Sequence, residues 1–443
     1  MIQVFHRCRP GVPIPVLDPH EFRKRPIILE IVEQPPELLP ARMIDELSPA
    51  AKVKRDRSWF GEQGMQARQR TRALPARVLA AFPGTCTPQR RNSMIPVHLN
   101  AVATAVPPNV LEQPDVERRV HTQFGDSAVV ARLLPVFANT GIERRYSCVP
   151  IEWYYDEHRW PDRNALYRES ALALIEQAAS LALERAGLAA ASIDAIVSVS
   201  TTGIATPSLD ALLMERLPFG RRTARVPIVG LGCVGGALGL ARAADLVRSK
   251  SFANILFVGV ECCTLWFRRN DITKSNIVAT ALFGDGAAAA ILSHAGSGPR
   301  LTAAGEYTFP RSLDIMGWDV ADDGLQAIFS RDIPALVQRE LRPLLDDFLA
   351  RHALEIADID CFLSHPGGTK VLDALESAFG IAPGSLHDSR AILREYGNMS
   401  SVTLLFVLER ALREGALAQP GVRRALLSAM GPGFTAAFLA LER

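Results

Sequence analysis

Between residues 165 and 188 the stretch "ALYRESALALIEQAASLALERAGL" carries apolar side chains at helical spacing, which predicts an amphipathic helix. It is followed by "IDAIVSVSTTG" (193–203), a β-rich run that ends in a polar turn. "RVPIVGLG" reads as the next strand, followed by a helix from about Val234 to Ser249 and a strand "ANILFVGVE" (253–261). Upstream, "MIPVHLNAVATAVPP" reads as a strand stopped by prolines. Alternating strand and helix patterns of this kind predict an α/β fold.

The pattern repeats. "ALERAGLAAASIDAIVSVS" (182–200) matches "FLARHALEIADIDCFLSHP" (348–366) at an offset of 166 residues, pairing Arg185 with Arg351, Leu188 with Leu354, Ile193 with Ile359 and Asp194 with Asp360. The same shift puts His365 opposite Val199 and lays Gly232 on Asn398 in "YGNMSSVTLLFVLERAL". Two copies of one α/β unit are therefore expected, over 94–295 and 296–443. A shared site is expected where strand ends of both copies meet.

Composition changes the picture at one end. Residues 1–93 hold 16 Lys/Arg against 9 Asp/Glu and 12 of the 30 prolines, whereas 94–443 holds 33 against 38. This front segment reads as a disordered basic extension or an over-extended reading frame, with Met94 as the native start. No Lys/Arg stripe interleaved with aromatics marks a nucleic-acid surface. No apolar run reaches the ~20 residues of a membrane span, and no apolar core of a signal peptide opens the chain. Seven cysteines without a C-x-x-C pair argue against a zinc or disulfide framework, so a cytoplasmic protein is expected.

Candidate chemistry centres on "VPIVGLGCVGGALGLARAADL" (226–246). Gly230, Gly232 and Gly235 spell G-x-G-x-x-G after a strand and before a helix, and Glu261 ends the next strand where an acid could hold a ribose. On that reading the chain is an NAD(P)-binding oxidoreductase. Cys233 inside the turn suggests instead a nucleophile near a helix start, its thiolate favoured by the helix dipole and by a nearby histidine. Gly235 and Gly236 would then serve close approach of substrate and backbone. A buried structural cysteine is the plainer alternative.

Two further residues bear on the choice. His365 in "FLSHPGGTKVL" closes a strand before a rigid turn, and Asn398 in "EYGNMSSVTLL" precedes a helix. Taken singly, they read as a structural histidine and a helix N-cap. Together with Cys233 at strand ends of a duplicated fold, they suit decarboxylative condensation. The thiolate would carry an acyl group, while His and Asn donate hydrogen bonds to the enolate formed when a malonyl thioester loses carbon dioxide. No metal ligands cluster beside them.

The segments "GCVGG", "ALFGDGAAAAIL", "SHPGGTKVLDALE", "EYGNMSSVTLLFVLE" and "MGPGFTAAFLAL" resemble, in this order, the type III polyketide synthases, the chalcone and stilbene synthase group of the thiolase superfamily. The resemblance runs from about Ile95 to the C-terminus. It implies a thiolase-like five-layer α-β-α-β-α fold of two duplicated halves, coenzyme A thioester substrates, iterative extension by malonyl-CoA, a homodimer and no bound cofactor. Cys233 would be the nucleophile, with His365 and Asn398 as decarboxylation and oxyanion groups. Phe283 falls on the family's gatekeeper phenylalanine, and Thr201, Trp266 and Ala327 are placed in the substrate pocket. A condensing enzyme like β-ketoacyl-ACP synthase III is the near alternative, and a catalytically silent partner subunit a more remote one.

Departures bear on the product. Ala327 in "DDGLQAIF" stands where plant members carry a second gatekeeper phenylalanine, which would widen the cavity. Trp266 replaces a small threonine, and Thr206 replaces the methionine that crosses the plant dimer. "DIMGWDV" is similar to bacterial members that make alkylpyrones and alkylresorcinols. A medium or long acyl-CoA starter in an apolar tunnel, giving a pyrone or resorcinol-type product, is therefore expected. Arg144 and Arg145 in "TGIERRY" are the candidate coenzyme A cations.

Overall fold

The computed structural model describes residues 95–443 apart from Asp126. The expected basic extension over 1–93 and the proposed start at Met94 lie outside the described residues. The strands run β1 (His98–Ala105), β2 (Asn109–Glu112), β3 (Arg144–Ser147), β4 (Ala195–Ser200), β5 (Ala224–Val229), β6 (Asn254–Cys262), β7 (Asp285–Ser293), β8 (Arg300–Thr308), β9 (Met316–Ala321), β10 (Gly324–Phe329), β11 (Cys361–Ser364), β12 (Arg424–Gly431) and β13 (Thr435–Glu442). The helices expected near 165–188 and 234–249 are Trp160–Ala186 and Gly235–Arg248.

Nine strands form one sheet in the order β5-β4-β6-β7-β1-β8-β13-β12-β11. Outward from the centre, β1, β7, β6 and β4 correspond to β8, β13, β12 and β11. Each set has two antiparallel pairings followed by one parallel pairing. The edge strand β5 has no counterpart. The turns Ala190–Ser192 and Ile356–Asp358 sit 166 residues apart, as do the starts of β4 and β11. Asp194 accepts the backbone N–H groups of Ala253 and Asn254, and Asp360 accepts those of Arg423 and Arg424 in the same way.

Three apolar cores separate the layers. The helix Trp160–Ala186 covers the first half of the sheet from outside, and Ile333–Arg351 with Thr369–Phe379 covers the second. The helices Gly235–Arg248 and Thr403–Arg413 lie in the central core between the two sheet halves. This is the thiolase-like five-layer fold. All nine residues of β7 are buried, four of them alanines, because helices cover both of its faces.

Near the centre the repeat slips by two residues. The short turn Gly232–Val234 matches Ser400–Val402 at an offset of 168, and each leads into a central helix. Gly232 therefore corresponds to Ser400 rather than to Asn398. A stretch longer by two residues between β11 and Ser400 than between β4 and Gly232 accounts for the slip, which the constant offset did not anticipate.

Candidate active site

Cys233 lies in the Gly232–Val234 turn just before the central helix. Gly232 has φ +52°, and a Cβ there would stand 2.6 Å from Cδ of Pro432. A Cβ at Gly236 would overlap the carbonyl oxygen of Ser401. This glycine thus serves the crossing of the two halves, not the approach of substrate. The turn that resembles a phosphate loop is packed against Pro432 and Ser401 instead. Glu261 is fully buried and accepts hydrogen bonds from Thr201, Thr202 and Ser401, so it cannot reach a ribose. The dinucleotide-binding reading fails on these contacts.

Asn398 is held from both sides. Its backbone N–H donates to Leu282 at 2.9 Å, and its carbonyl accepts from Gly284 at 3.0 Å, bridging it to Phe283. Its side-chain oxygen accepts the Ser400 backbone N–H at 2.8 Å, which leaves the NH2 group to donate elsewhere. His365 follows β11, anchored by its backbone N–H on Ser428 at 2.8 Å. Both of its ring nitrogens are buried and lack a hydrogen-bond partner among the described residues. Cys233, His365 and Asn398 line one cavity of about 520 Å³.

The electrostatics differ from the sequence-based expectation. Burial pushes the Cys233 thiol up to about 12, with the Glu261 carboxylate adding to the rise; hydrogen bonds from Ser400 and Asn398 oppose it. Burial pulls the His365 imidazole down to about 4. Burial thus works against the expected thiolate and against the imidazolium that would pair with it. An ion pair would have to recover the desolvation of both charges through direct contact, and no such contact holds the ring. The Cys233 thiol donates to Ser400 Oγ at 3.8 Å.

Of the pocket residues, Phe283 stacks on Trp318 at 5.5 Å and packs near Phe329 at 5.7 Å. Ala327 is buried beside Phe283 and Cys263, but the expected widening is absent. Trp318 is the direct cross-strand partner of Ala327 in the β9–β10 hairpin and fills the space. Trp266 is buried, its indole N–H donating to the Thr202 carbonyl at 2.7 Å. Beside Cys233 only a hollow of about 10 Å³ remains between Phe283 and Trp318. Another of about 40 Å³ lies behind them. Thr201 Oγ1 accepts the Gly232 N–H at 3.0 Å and so supports the nucleophile turn.

The two arginines proposed for coenzyme A are not at the cavity. Arg145 is buried and donates to Gln113 and to the carbonyls of Thr280 and Phe283. Arg144 is an exposed end of β3. The cations that line the large cavity are Arg132, Lys274, Arg331 and Lys370. They come from four separate segments, so no local cluster in the sequence marked them. Trp318 was legible only through the hairpin register, and Ser400 only through its unusual backbone.

Comparison with known proteins agrees with this architecture. Residues 87–299 match the description "Chalcone and stilbene synthases, N-terminal domain", and residues 300–442 match the corresponding C-terminal domain. A putative chalcone synthase of Bacillus subtilis is 40% identical over 324 residues, covering 70% of this chain and 88% of that one. A 1,3,6,8-tetrahydroxynaphthalene synthase of Streptomyces peucetius is 38% identical over 352 residues, covering 77% and 92%. The crystal structure of the 1,3,6,8-tetrahydroxynaphthalene synthase of Streptomyces coelicolor superposes with a TM-score of 0.74 at 32% identity, covering 78% of this chain and 99% of that one. With both domains matched across almost all described residues, the chain belongs to the chalcone and stilbene synthase family, the type III polyketide synthases.

Proposed function

We propose that Cys233 accepts an acyl group from a coenzyme A thioester and that His365 and Asn398 promote decarboxylative extension by malonyl-CoA. The observation that carries this reading is the meeting of these three residues, from distant parts of the chain, on one cavity that four cations also line. Arg132, Lys274, Arg331 and Lys370 suit the phosphates of coenzyme A.

In the loading step Cys233 Sγ attacks the thioester carbonyl carbon while its proton passes to the unpartnered imidazole of His365. The expelled coenzyme A thiolate takes that proton and leaves as the thiol. In extension, the NH2 group of Asn398 and an N–H of His365 donate to the malonyl thioester oxygen. The carboxylate then departs as carbon dioxide and the electron pair is held as an enolate. The enolate carbon attacks the acyl-cysteine carbonyl, and the Cys233 thiolate is released for the next round. Cyclisation frees a pyrone or resorcinol-type product.

A homodimer fits the open edge of the sheet, where β5 has one unpaired side and Val229 is 71% exposed. Among the described residues no helix is long and apolar enough to cross a membrane. A cytoplasmic location fits the coenzyme A thioesters that it draws on. The test is incubation with malonyl-CoA and a starter panel from acetyl- to stearoyl-CoA, read by mass spectrometry beside Cys233→Ala. Products that vanish in the variant support the reading. No release of coenzyme A from any starter, with the variant behaving alike, sinks it.

A further inference from the structure

Two buried arginines line the hollow of about 40 Å³ behind the Phe283–Trp318 stack, and neither takes part in the condensation. Arg119 comes from the helix Gln113–Phe124 and is 3% exposed, and Arg145 comes from β3 and is 1% exposed. Arg119 donates to the carbonyl of Tyr154. Arg145 donates to Gln113 Oε1 and to the carbonyls of Thr280 at 2.8 Å and Phe283 at 3.4 Å. None of these partners is charged. The Nε–H groups of both arginines are sealed from solvent and lack a hydrogen-bond partner among the described residues.

A guanidinium keeps its charge inside a protein. Burial pulls both arginines down only to about 10, which leaves them cationic at neutral pH. The rings of Tyr154, Tyr155 and Phe267 lie 5.3, 5.3 and 4.4 Å from the Arg119 guanidinium. They meet its flat face, whereas its N–H donors lie in the plane. Arg145 feels the carboxyl group of Asp285. The Asp285 oxygens, however, already accept from the Cys148 and Thr264 N–H groups at 2.8 Å each and from Thr264 Oγ1 at 2.6 Å. Arg119 has no such counter-charge. The side chain that acts on it as an ion at neutral pH is Arg269, of the same sign.

We propose that this hollow is a binding site for one small monovalent anion, of the chloride or formate kind, held by Arg119 and Arg145. A buried ion without a partner is costly, and a single negative charge matches the one left unpaired. Water needs about 10–15 Å³ of such space per molecule, so the hollow has room for an anion of this size. Waters alone would meet the donors and leave the charge unmatched. Leu111, Val116, Ile151 and Phe267 in the wall offer no side-chain hydrogen bonds, and the Thr264 hydroxyl is spent on Asp285. The guanidiniums are therefore the groups that hold the anion. Arg145 also holds the Phe283 carbonyl, so an occupied site stiffens the wall of the acyl chamber.

Two measurements on the wild-type full chain test the site, and neither involves turnover. Crystals soaked in sodium bromide and measured at the bromine absorption edge should show an anomalous peak between Arg119 and Arg145. No peak there overturns the proposal. In solution, the melting temperature should rise by about 2 °C from chloride-free buffer to about 300 mM sodium chloride, with sodium gluconate holding the ionic strength constant. Gluconate is too large for the hollow, so a melt that does not separate the two salts also overturns it.

Arg119→Met removes the charge and keeps an unbranched stem. The bromide peak and the chloride-dependent rise should both vanish in this variant. A rise that persists belongs to another part of the chain and overturns the assignment. The two wild-type measurements decide the matter by themselves where the variant fails to fold.

Discussion

Gly232 and Ser400 adopt nearly the same left-handed backbone, φ +52° and +50°, and each opens the turn that leads into one of the two central helices. One turn carries Cys233. The other follows Asn398 and sets its side chain. The internal duplication has thus set the turn that carries Cys233 and the turn that follows Asn398 at pseudo-equivalent points of the fold.

Gly232→Ala should destabilise the protein by about 2 kcal/mol, from left-handed strain and the close approach to Pro432. Acyl loading of Cys233 should drop at least about tenfold with it. Ser400→Gly should leave stability within about 0.5 kcal/mol, because relief of strain and the greater freedom of the unfolded chain nearly cancel. Thermal melts and a single-turnover loading assay check both.

Asn398→Ala removes one donor to the enolate oxygen and leaves the Cys233 thiol with its hydrogen bond to Ser400. Malonyl-CoA decarboxylation should fall by about 10²–10³ while iodoacetamide still modifies Cys233. Carbon dioxide release and peptide mass spectrometry separate the two. Parallel loss of both would point to a collapsed site instead.

Trp318→Ala should join the hollows of about 10 and 40 Å³ on either side of the Phe283–Trp318 stack. Octanoyl-CoA should gain about tenfold in kcat/KM relative to acetyl-CoA, as expected when an apolar pocket gains several methylenes of room. Enlarging position 327 to Phe in the wild type should have little further effect on starter length, because Trp318 already fills that space.

The buried imidazole makes stability pH-dependent. In the unfolded chain a histidine titrates near 6.5, whereas His365 in the fold is pulled down to about 4. Below pH 6.5 the unfolded state therefore takes up a proton that the folded state refuses. Stability should fall from pH 6.5 to about 4 and level off below, by up to about 3 kcal/mol for this group. His365→Gln should flatten that part of the curve in urea melts run across the range.

Periodicity, the repeat and a few motifs sufficed to read the α/β class, the duplication, the helices near 165–188 and 234–249, and the gathering of Cys233, His365 and Asn398. These are properties of local pattern and chain order, and burial of an amphipathic face leaves its record in the residues themselves. The sequence by itself could not determine the shift of the Cys233 thiol, because burial and the groups around it, Glu261, Ser400 and Asn398, act through space. Nor could it locate the cations of the cavity, which come from four segments, or exclude Arg145, whose donors are spent on Gln113 and on two backbone carbonyls. The width of the acyl chamber was likewise decided only in three dimensions. Small Ala327 predicts an opening, and the hairpin register sets Trp318 directly across from it, where the larger side chain takes the space.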